Sequence, residues 1–313
     1  MSHTRAPRPT DLVALVTFDD EVRENLAVTR EQIAHPSAVP TPLSAAMGQW
    51  LHLGHRMWVS MQGRQLQGIA TARELTAKHA WEVDTLLDAD EQHGGEVVMD
   101  LLQQIALAAE ESEVTHVLLR TRAEGGAVDH ALRCGFARVT HERLWHGHLA
   151  PATDAAGSVS VREWVPEDAF ASFQTYCRAF PMTARQAMAM TVDEWDAVRD
   201  RHWQERGDGA LVAEVDGHIA ATGRFARATG QFTLVAEPEA HAAADGLLVA
   251  IADRIEPAER HVALVAASAA TEEGALRRAG MEPGDEFALL CKRIARPVRE
   301  EGYARAGIPI TGG

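Results

Sequence analysis

One unit of this chain occurs twice, and this repeat limits what the chain can fold into. Residues 94–145 and residues 242–291 each contain, in the same order, a loop of small residues, an amphipathic helix, an apolar strand, a short helix and a final strand. The two short helices end at Gly135 with Phe136 and at Gly280 with Met281, 145 residues apart. Solenoid repeats have periods of roughly 20–50 residues, so a repeat of this length predicts two copies of one α/β domain.

Both halves predict a helix and three antiparallel strands upstream of the repeated unit. In the first half, a helix starting at Thr41 precedes strands at 57–61, 66–74 and 81–87. In the second half, a capping box at Thr191 predicts a helix that runs to about residue 205, and strands follow at 210–215, 218–224 and 231–236. Glycine tolerates a positive φ, so Gly63 and Gly217 are expected in the hairpin turns.

The breaker-rich segment 151–157 predicts a linker between the two copies. A chain of 313 residues is long enough for two domains. We therefore expect a first domain over residues 1–150, a second over residues 158–295 and a tail over residues 296–313. The second domain should open with a strand at 161–164, whereas residues 11–32 of the first should be mostly helical. These elements predict an α/β fold in which helices cover both faces of a mixed sheet.

Composition excludes several classes of protein. The formal net charge of −15 argues against broad electrostatic binding to nucleic acid. Three widely spaced cysteines predict neither a disulfide framework nor a zinc ribbon. The histidine pairs, His52 with His55 and His146 with His148, lack further ligands at clear spacing, so no metal site is predicted. No apolar run approaches a membrane span and the first residues lack the apolar core of a signal peptide, which favours a cytoplasmic protein that does not bind membranes.

The ends of the two short helices carry a family resemblance. The segments ALRCGF (131–136) and ALRRAGM (275–281), with the hairpin glycines and the order of elements, resemble the GCN5-related N-acetyltransferase superfamily in two tandem copies. Members of that family have a strand, two helices, three antiparallel strands, a helix, a strand, a helix and a final strand. The resemblance implies acetyl-CoA as co-substrate, and it implies that the strands 81–87 and 114–120 part to admit the pantetheine arm.

The resemblance also implies where acetyl-CoA binds. In this family a glycine loop and the N-terminus of the next helix hold the pyrophosphate through backbone amides. In domain one the corresponding residues are Gln92, His93, Gly94, Gly95, Glu96 and Val97. Val97 stands where the family has Gly or Ala, and an alternative register that starts at His93 puts Glu96 at the first glycine. In domain two His241 and Ala244 replace the basic residue and the first glycine, so domain one is the predicted cofactor-binding domain and domain two the more degenerate copy.

Amine acetylation requires a base for the ammonium group and an acid for the leaving thiolate. Strand alternation places Glu82 and Asp84 on one face of the third strand, which makes them candidate bases; the alternative is a solvated strand face. The family's usual tyrosine acid would fall at Ala131 and Leu276. Cys134 lies near the first of these positions and is either a replacement acid or nucleophile, or a small packed residue.

Three functions remain open from the sequence. The first is an acyl-CoA-dependent N-acetyltransferase that acts on a small-molecule or peptide amine through domain one. The second is a catalytically degenerate tandem fold that acts as a binding or scaffold protein. The third is catalysis by domain two alone. The sequence does not specify the acceptor, the acyl group or the oligomeric state.

Overall fold

The structure is a computed structural model. It describes residues 3–19, 24–34, 46, 55–75, 79–89, 95–150, 159–199, 202–204, 208–256 and 260–295. Within these ranges twelve strands form one mixed sheet, and helices pack on both of its faces. The predicted fold class, an α/β mixed sheet covered on both faces, is therefore confirmed.

The described part of the first half contains six strands and four α-helices. The strands are β1 (His3–Arg5), β2 (His55–Gln62), β3 (Gln65–Glu74), β4 (Ala80–Asp88), β5 (His116–Arg122) and β6 (Ala137–Gly147). The helices are α1 (Leu12–Asp19), α2 (Arg30–Ala34), α3 (Glu96–Glu111) and α4 (Gly126–Arg133). A 3-10 turn over Pro9–Asp11 precedes α1.

The described part of the second half repeats this order. Its strands are β7 (Ser160–Glu163), β8 (Gly209–Val215), β9 (His218–Phe225), β10 (Gln231–Ala236), β11 (His261–Ala266) and β12 (Glu282–Arg293). Its helices are α5 (Ala169–Ala179), α6 (Met182–Met188), α7 (Val192–Ala197), α8 (His241–Ala252) and α9 (Ala270–Arg278). A 3-10 turn over Pro166–Asp168 precedes α5.

Each half has a core between the sheet and its longest helix. The buried face of α3, predicted from its periodicity, packs on Trp81 and Val83 of β4. The buried face of α8 packs on Phe232 and Leu234 of β10. Burying a large apolar side chain contributes roughly 1.5–3 kcal/mol, so these faces hold both helices against the sheet.

The two glycine anchors of the repeat adopt the same helix-ending geometry. Gly135 has a φ of 83° and Gly280 a φ of 82°. The Phe136 N–H donates to the Ala131 carbonyl, and the Met281 N–H donates to the Leu276 carbonyl, both at 3.0 Å. A left-handed residue that ends a helix is favourable for glycine because it has no Cβ, which explains why the sequence repeat is clearest here.

The halves exchange their final strands. β12, from the second half, lies between β5 and β6, and β6, from the first half, lies between β12 and β11. Leu290 of β12 pairs with Leu119 of β5, and Leu144 of β6 pairs with Leu264 of β11. Both halves therefore contribute to one continuous sheet. The predicted linker 151–157 and tail 296–313 lie outside the described residues, and the predicted domain limits stay predictions.

One of the predicted helices differs in the structure, since the helix capped by Thr191 ends at Ala197 rather than near residue 205. Between residues 11 and 32, most of the described residues are helical as predicted, and the described residues 24–29 between α1 and α2 are not. The helix predicted from Thr41 lies outside the described residues except for residue 46.

A second sequence repeat marks the start of each half. Arg5 pairs with Asp11 ahead of α1, and Arg162 pairs with Asp168 ahead of α5, each at 2.6 Å. Each aspartate also accepts a hydrogen bond from the backbone N–H three residues before it. The spacing Arg-x3-Pro-x-Asp occurs at both places, and it is the signal that would have identified the missed strand β1.

Candidate functional site

The sheet opens at the same place in each half. β4 and β5 run parallel and pair from Ala80 with His116 to Val83 with Leu119. β10 and β11 also run parallel and pair only at Gln231 with Val262 and at Phe232 with Ala263. The gap beyond Val83 and Leu119 is called slot one, and the gap beyond Phe232 and Ala263 is called slot two. Parted strands at this point are what the family resemblance implies.

Slot one is filled by residues 25–28 of the same chain, called here the inserted segment. The Leu26 N–H donates to the Leu86 carbonyl of β4 at 2.9 Å, and the Val28 N–H donates to the Arg120 carbonyl of β5 at 2.8 Å. The inserted segment thus bridges the two parted strands. A ligand that bound β4 and β5 here would have to displace it.

The Asn25 side chain forms two hydrogen bonds with the backbone of β4 inside slot one. Its Oδ1 accepts from the Leu86 N–H at 2.8 Å, and its Nδ2 donates to the Asp84 carbonyl at 3.0 Å. Gln32 of α2 donates to the same Asp84 carbonyl at 2.9 Å. The Leu86 N–H is therefore bonded to Asn25 and the Leu86 carbonyl to the Leu26 N–H. Leu86 lies on the strand along which the resemblance placed the pantetheine arm.

The two predicted catalytic carboxylates are buried and paired. Glu82 is 2% exposed and accepts from Arg73 at 2.9 Å and from Arg120 at 3.1 Å. Asp84 is 3% exposed, is the extra residue of a β-bulge, and accepts from the Thr71 hydroxyl. A solvated strand face, the alternative left open by the sequence, is therefore wrong. The catalytic role of either carboxylate stays a prediction.

Glu82 belongs to a series of alternating charges that is buried at its centre and exposed at Glu31, called here the ion-pair chain. In order, its members are Arg30, Glu142, Arg120, Glu82, Arg73 and Glu31. Burial alone would raise the pKa of Glu142, but Arg120 and Arg30 hold that pKa below its ordinary value of 4.5. Glu142 is therefore a carboxylate at neutral pH and a weak proton acceptor.

The predicted pyrophosphate loop of domain one is described from Gly95 onward, and Gln92, His93 and Gly94 lie outside the described residues. Gly95 has a φ of 80°, and a Cβ there would sit 2.0 Å from Nε2 of His130. Glu96 is the exposed first residue of α3. Val97 is buried against Gly68, where a Cβ would come within 2.5 Å of the valine Cγ1. Val97 thus packs on β3, and its binding role stays a prediction.

Among the described residues no segment enters slot two, which contains a small cavity. This cavity has a volume of about 50 Å³. At its inner end, Nη1 of Arg30 donates to the Leu264 carbonyl at 3.3 Å. At its outer end, the Glu272 carboxylate accepts from the Ala236 N–H at 2.9 Å, and burial raises the pKa of Glu272. Slot two is therefore a narrow space between the two strands, with a carboxylate on one backbone donor.

A larger cavity, called here the central cavity, lies between α5–α7 and the shared sheet and has a volume of about 170 Å³. Its walls include the aromatic rings of Trp164, Tyr176, Phe180 and Trp195. It shares lining residues with slot two: Arg30, Thr140, Glu142, Phe180, Thr233 and Val235. Slot two and the central cavity are therefore adjacent spaces with a common wall built from both halves.

Tyr176 is a candidate functional residue that the sequence did not single out. It lines the central cavity, is 6% exposed, and its hydroxyl has no hydrogen-bond partner among the residues that the structure describes. Burial raises the pKa of Tyr176, so the phenol stays protonated. An unpaired buried hydroxyl is costly, which makes it a natural donor to a ligand. The aromatic residues Phe173 and Tyr176 of α5 and Phe180 directly after it were the available sequence signal.

Several solved structures are similar to the chain at low sequence identity. No family model matches the chain, and no curated protein matches it. A GCN5-related N-acetyltransferase from Sphaerobacter thermophilus is 19% identical, over 95% of this chain and 96% of its own, with a TM-score of 0.48. A tandem GNAT protein from the clavulanic acid biosynthesis pathway is 13% identical, over 95% of this chain and 100% of its own, with a TM-score of 0.45. A GCN5-related N-acetyltransferase from Anabaena variabilis is 9% identical, over 94% of this chain and 73% of its own, with a TM-score of 0.48.

The features of this chain itself carry the assignment of its fold. Each half contains the strand, the helices, the three antiparallel strands, the helix, the parallel strand, the helix and the final strand that the resemblance implied. Both halves also part their parallel strands at the expected place. The chain therefore contains, twice in tandem, the order of elements that the resemblance to the GCN5-related N-acetyltransferases implied. Among its described helices, none is long and apolar enough to cross a membrane.

Proposed function

We propose that the chain is an acyl-CoA-dependent N-acyltransferase that binds the acyl-CoA in slot two and the acceptor amine in the central cavity. The observation that carries this proposal is the common wall of the two spaces, which includes Phe180, Thr233 and Val235. A thioester carried into slot two would reach the central cavity, where a second substrate has room to meet it. Holding two reactants in this way is a large part of catalysis by such enzymes.

The inserted segment supports the proposal because it already fills slot one. The inserted segment already holds the Asp84 carbonyl and both backbone groups of Leu86. The third function left open by the sequence, catalysis by domain two alone, is therefore preferred to the prediction that domain one binds acetyl-CoA through Gln92 to Val97. That prediction is the alternative that the experiment below separates.

The proposed reaction transfers an acyl group from sulfur to nitrogen. The amine lone pair attacks the thioester carbonyl carbon, a C–N bond forms, and the C–S bond breaks as its electron pair leaves on the CoA sulfur. The nitrogen loses one proton, and the thiolate gains one. The products are an amide, free CoA and, when the amine enters as an ammonium ion, one released proton.

The described lining offers groups for these proton transfers. Tyr176 is the hydrogen-bond donor that we assign to the leaving thiolate, since its phenol is buried and stays protonated; the proton that the thiolate gains then comes from water. Glu82 and Glu142 are the carboxylates on the wall of the central cavity, and both accept hydrogen bonds from arginines. Arginine pairing weakens a carboxylate as a base, so we expect turnover to rise with pH as more of the amine loses its proton in solution.

The central cavity favours a small acceptor with an apolar body. Aromatic rings and aliphatic side chains, among them Leu118, Met188 and Leu289, make up most of its described lining. A cavity of about 170 Å³ accommodates a small molecule more readily than a peptide segment. We therefore propose a small apolar amine as the acceptor.

One observation favours a second function, a binding protein that does not use acyl-CoA. Glu272 occupies the Ala236 N–H at the outer end of slot two, and Glu237 and Glu239 lie in the loop before α8. A carboxylate near a helix N-terminus takes up the positive end of the helix dipole and repels a phosphate. In this case the central cavity would still bind a small apolar ligand.

Acyl-CoA titration of two tryptophan variants tests the proposal. Val235→Trp places a large ring on the wall of slot two, whereas the control Val165→Trp makes the same change at an exposed position. Wild type and Val165→Trp should bind acetyl-CoA by calorimetry, with about 2.7 kcal/mol of added stability at a hundred times Kd, and Val235→Trp should not bind. Unchanged binding by Val235→Trp would favour domain one, and no binding of any CoA ester by wild type at millimolar concentration would favour the binding protein.

A further inference from the structure

We infer that slot one binds the inserted segment of the same chain, and that this contact holds Arg30 of the first half in place at slot two. Arg30 is thus a positioning residue of slot two. The inference rests on the proposed function for its ligand measurement only. Its structural content is a physical link between the two slots: a continuous stretch, residues 25–30, enters slot one through Asn25 and reaches slot two through the side chain of Arg30.

The inserted segment is rigidly joined to α2. The Thr29 N–H donates to Oε1 of Gln32 at 2.9 Å, and the Gln32 N–H donates to the Thr29 hydroxyl at 3.2 Å. This reciprocal pair is a capping box, which fixes the direction in which a helix starts. Gln32 also donates to the Asp84 carbonyl through its Nε2. One side chain therefore caps α2 and attaches it to β4 at slot one.

Arg30 follows the capping residue and contacts slot two at three points. Its Nη1 donates to the Leu264 carbonyl at 3.3 Å, and its Nη2 contacts Glu142 at 2.8 Å. Its own carbonyl accepts from Nε2 of Gln231 at 2.8 Å. Gln231 and Leu264 belong to the two strands that border slot two, so Arg30 spans the point at which they separate.

The hydrogen bond from Arg30 to the Leu264 carbonyl explains where the pairing of β10 with β11 ends. The Val262 N–H donates to the Gly230 carbonyl, and the last pair is Phe232 with Ala263. In a regular parallel ladder the next bond would run from the Leu234 N–H to the Leu264 carbonyl. Arg30 holds that carbonyl instead. Arg30 therefore keeps slot two open and holds the charge of Glu142 beside it.

Asn25→Ala tests this link, with Glu24→Ala as the matched control. Asn25→Ala removes two contacts to β4, whereas Glu24 is exposed and its side chain reaches only the exposed Arg122 among the described contacts. We expect Asn25→Ala to speed hydrogen exchange of the Leu86 amide by about tenfold or more and to weaken acetyl-CoA binding at slot two severalfold. Glu24→Ala should change neither.

A double-mutant cycle separates this inference from the proposed function. Asn25→Ala and Arg30→Lys should be coupled in the unfolding equilibrium constant by about fivefold, because one change disturbs the position of the other group. Additive effects would overturn the inference, whether or not acetyl-CoA binds. A second acetyl-CoA site in Asn25→Ala would also overturn it, since slot one would then be a ligand site behind a removable segment. Absence of binding in wild type contradicts only the proposed function.

Discussion

Glu82→Gln is expected to destabilise the fold far more than Glu31→Gln, although both glutamates pair with Arg73. The Glu82 side chain is 2% exposed and lies between Arg73 and Arg120, which are 8% and 4% exposed. Removing its charge leaves two buried guanidinium groups without their shared carboxylate. Breaking a buried ion pair costs about 3–5 kcal/mol, so a loss of about that size is expected.

Glu31 provides the matched control in the same ion-pair chain. Its side chain is 40% exposed and contacts Arg73 at 2.9 Å. Exposed pairs contribute about 0–1 kcal/mol because water screens the charges. Glu31→Gln should therefore change the free energy of unfolding by no more than about 1 kcal/mol.

Urea unfolding followed by tryptophan fluorescence measures both variants. Trp81 is 1% exposed next to Glu82 in β4, so its emission reports the loss of this region. The midpoint should fall markedly for Glu82→Gln with an unchanged m-value. Equal losses in the two variants would refute the reasoning from burial. Turnover per folded molecule provides a further readout, because a catalytic base lost as Gln abolishes it while a structural role does not.

Three other predictions follow from the site. Tyr176→Phe should leave the free energy of unfolding unchanged or raise it, since the buried hydroxyl has no described partner, and should lower turnover by about 10²-fold; a large loss of stability with normal turnover would contradict the assigned role. Glu272→Gln should tighten acetyl-CoA binding severalfold, which calorimetry measures, because it removes a negative charge from slot two; weaker binding would contradict it. The pH dependence of urea unfolding should distinguish two carboxylates whose pKa values shift in opposite directions. The pKa of Glu142 is lowered by folding, so Glu142 contributes stability above pH 4.5, and this stability is lost as the pH falls through the folded pKa. The pKa of Glu272 is raised by folding, so Glu272 contributes stability below pH 4.5, and this stability is lost as the pH rises through the folded pKa. Glu142→Gln and Glu272→Gln should each remove one of these slopes, and identical pH profiles for the two variants would contradict the assignment.

The packing of each half could be predicted from the sequence because it follows local patterns. Gly135 and Gly280 end helices whose buried faces repeat at helical spacing, and hairpin glycines mark the turns. The exchange of the final strands could not be predicted from the sequence, because β6 and β12 have the same apolar pattern whichever neighbour they pair with. Register depends on contacts between distant strands, and these are absent from any local window.

The occupancy of slot one was also beyond sequence reasoning. Residues 24–29 have no periodic pattern, and their hydrogen-bond partners on β4 and β5 lie far along the chain. Strand alternation predicted Glu82 as a candidate base, and its catalytic role stays a prediction. Its arginine partners come from neighbouring strands, so the sequence could not distinguish a catalytic base from a buried ion pair.

A crystal structure of the chain grown with saturating acetyl-CoA tests the central claim most directly. We predict one ligand per chain, with its pantetheine arm between β10 and β11, its thioester at the wall shared with the central cavity near Val235, and residues 25–28 still seated between β4 and β5. A ligand between β4 and β5, with the inserted segment displaced, would contradict the account.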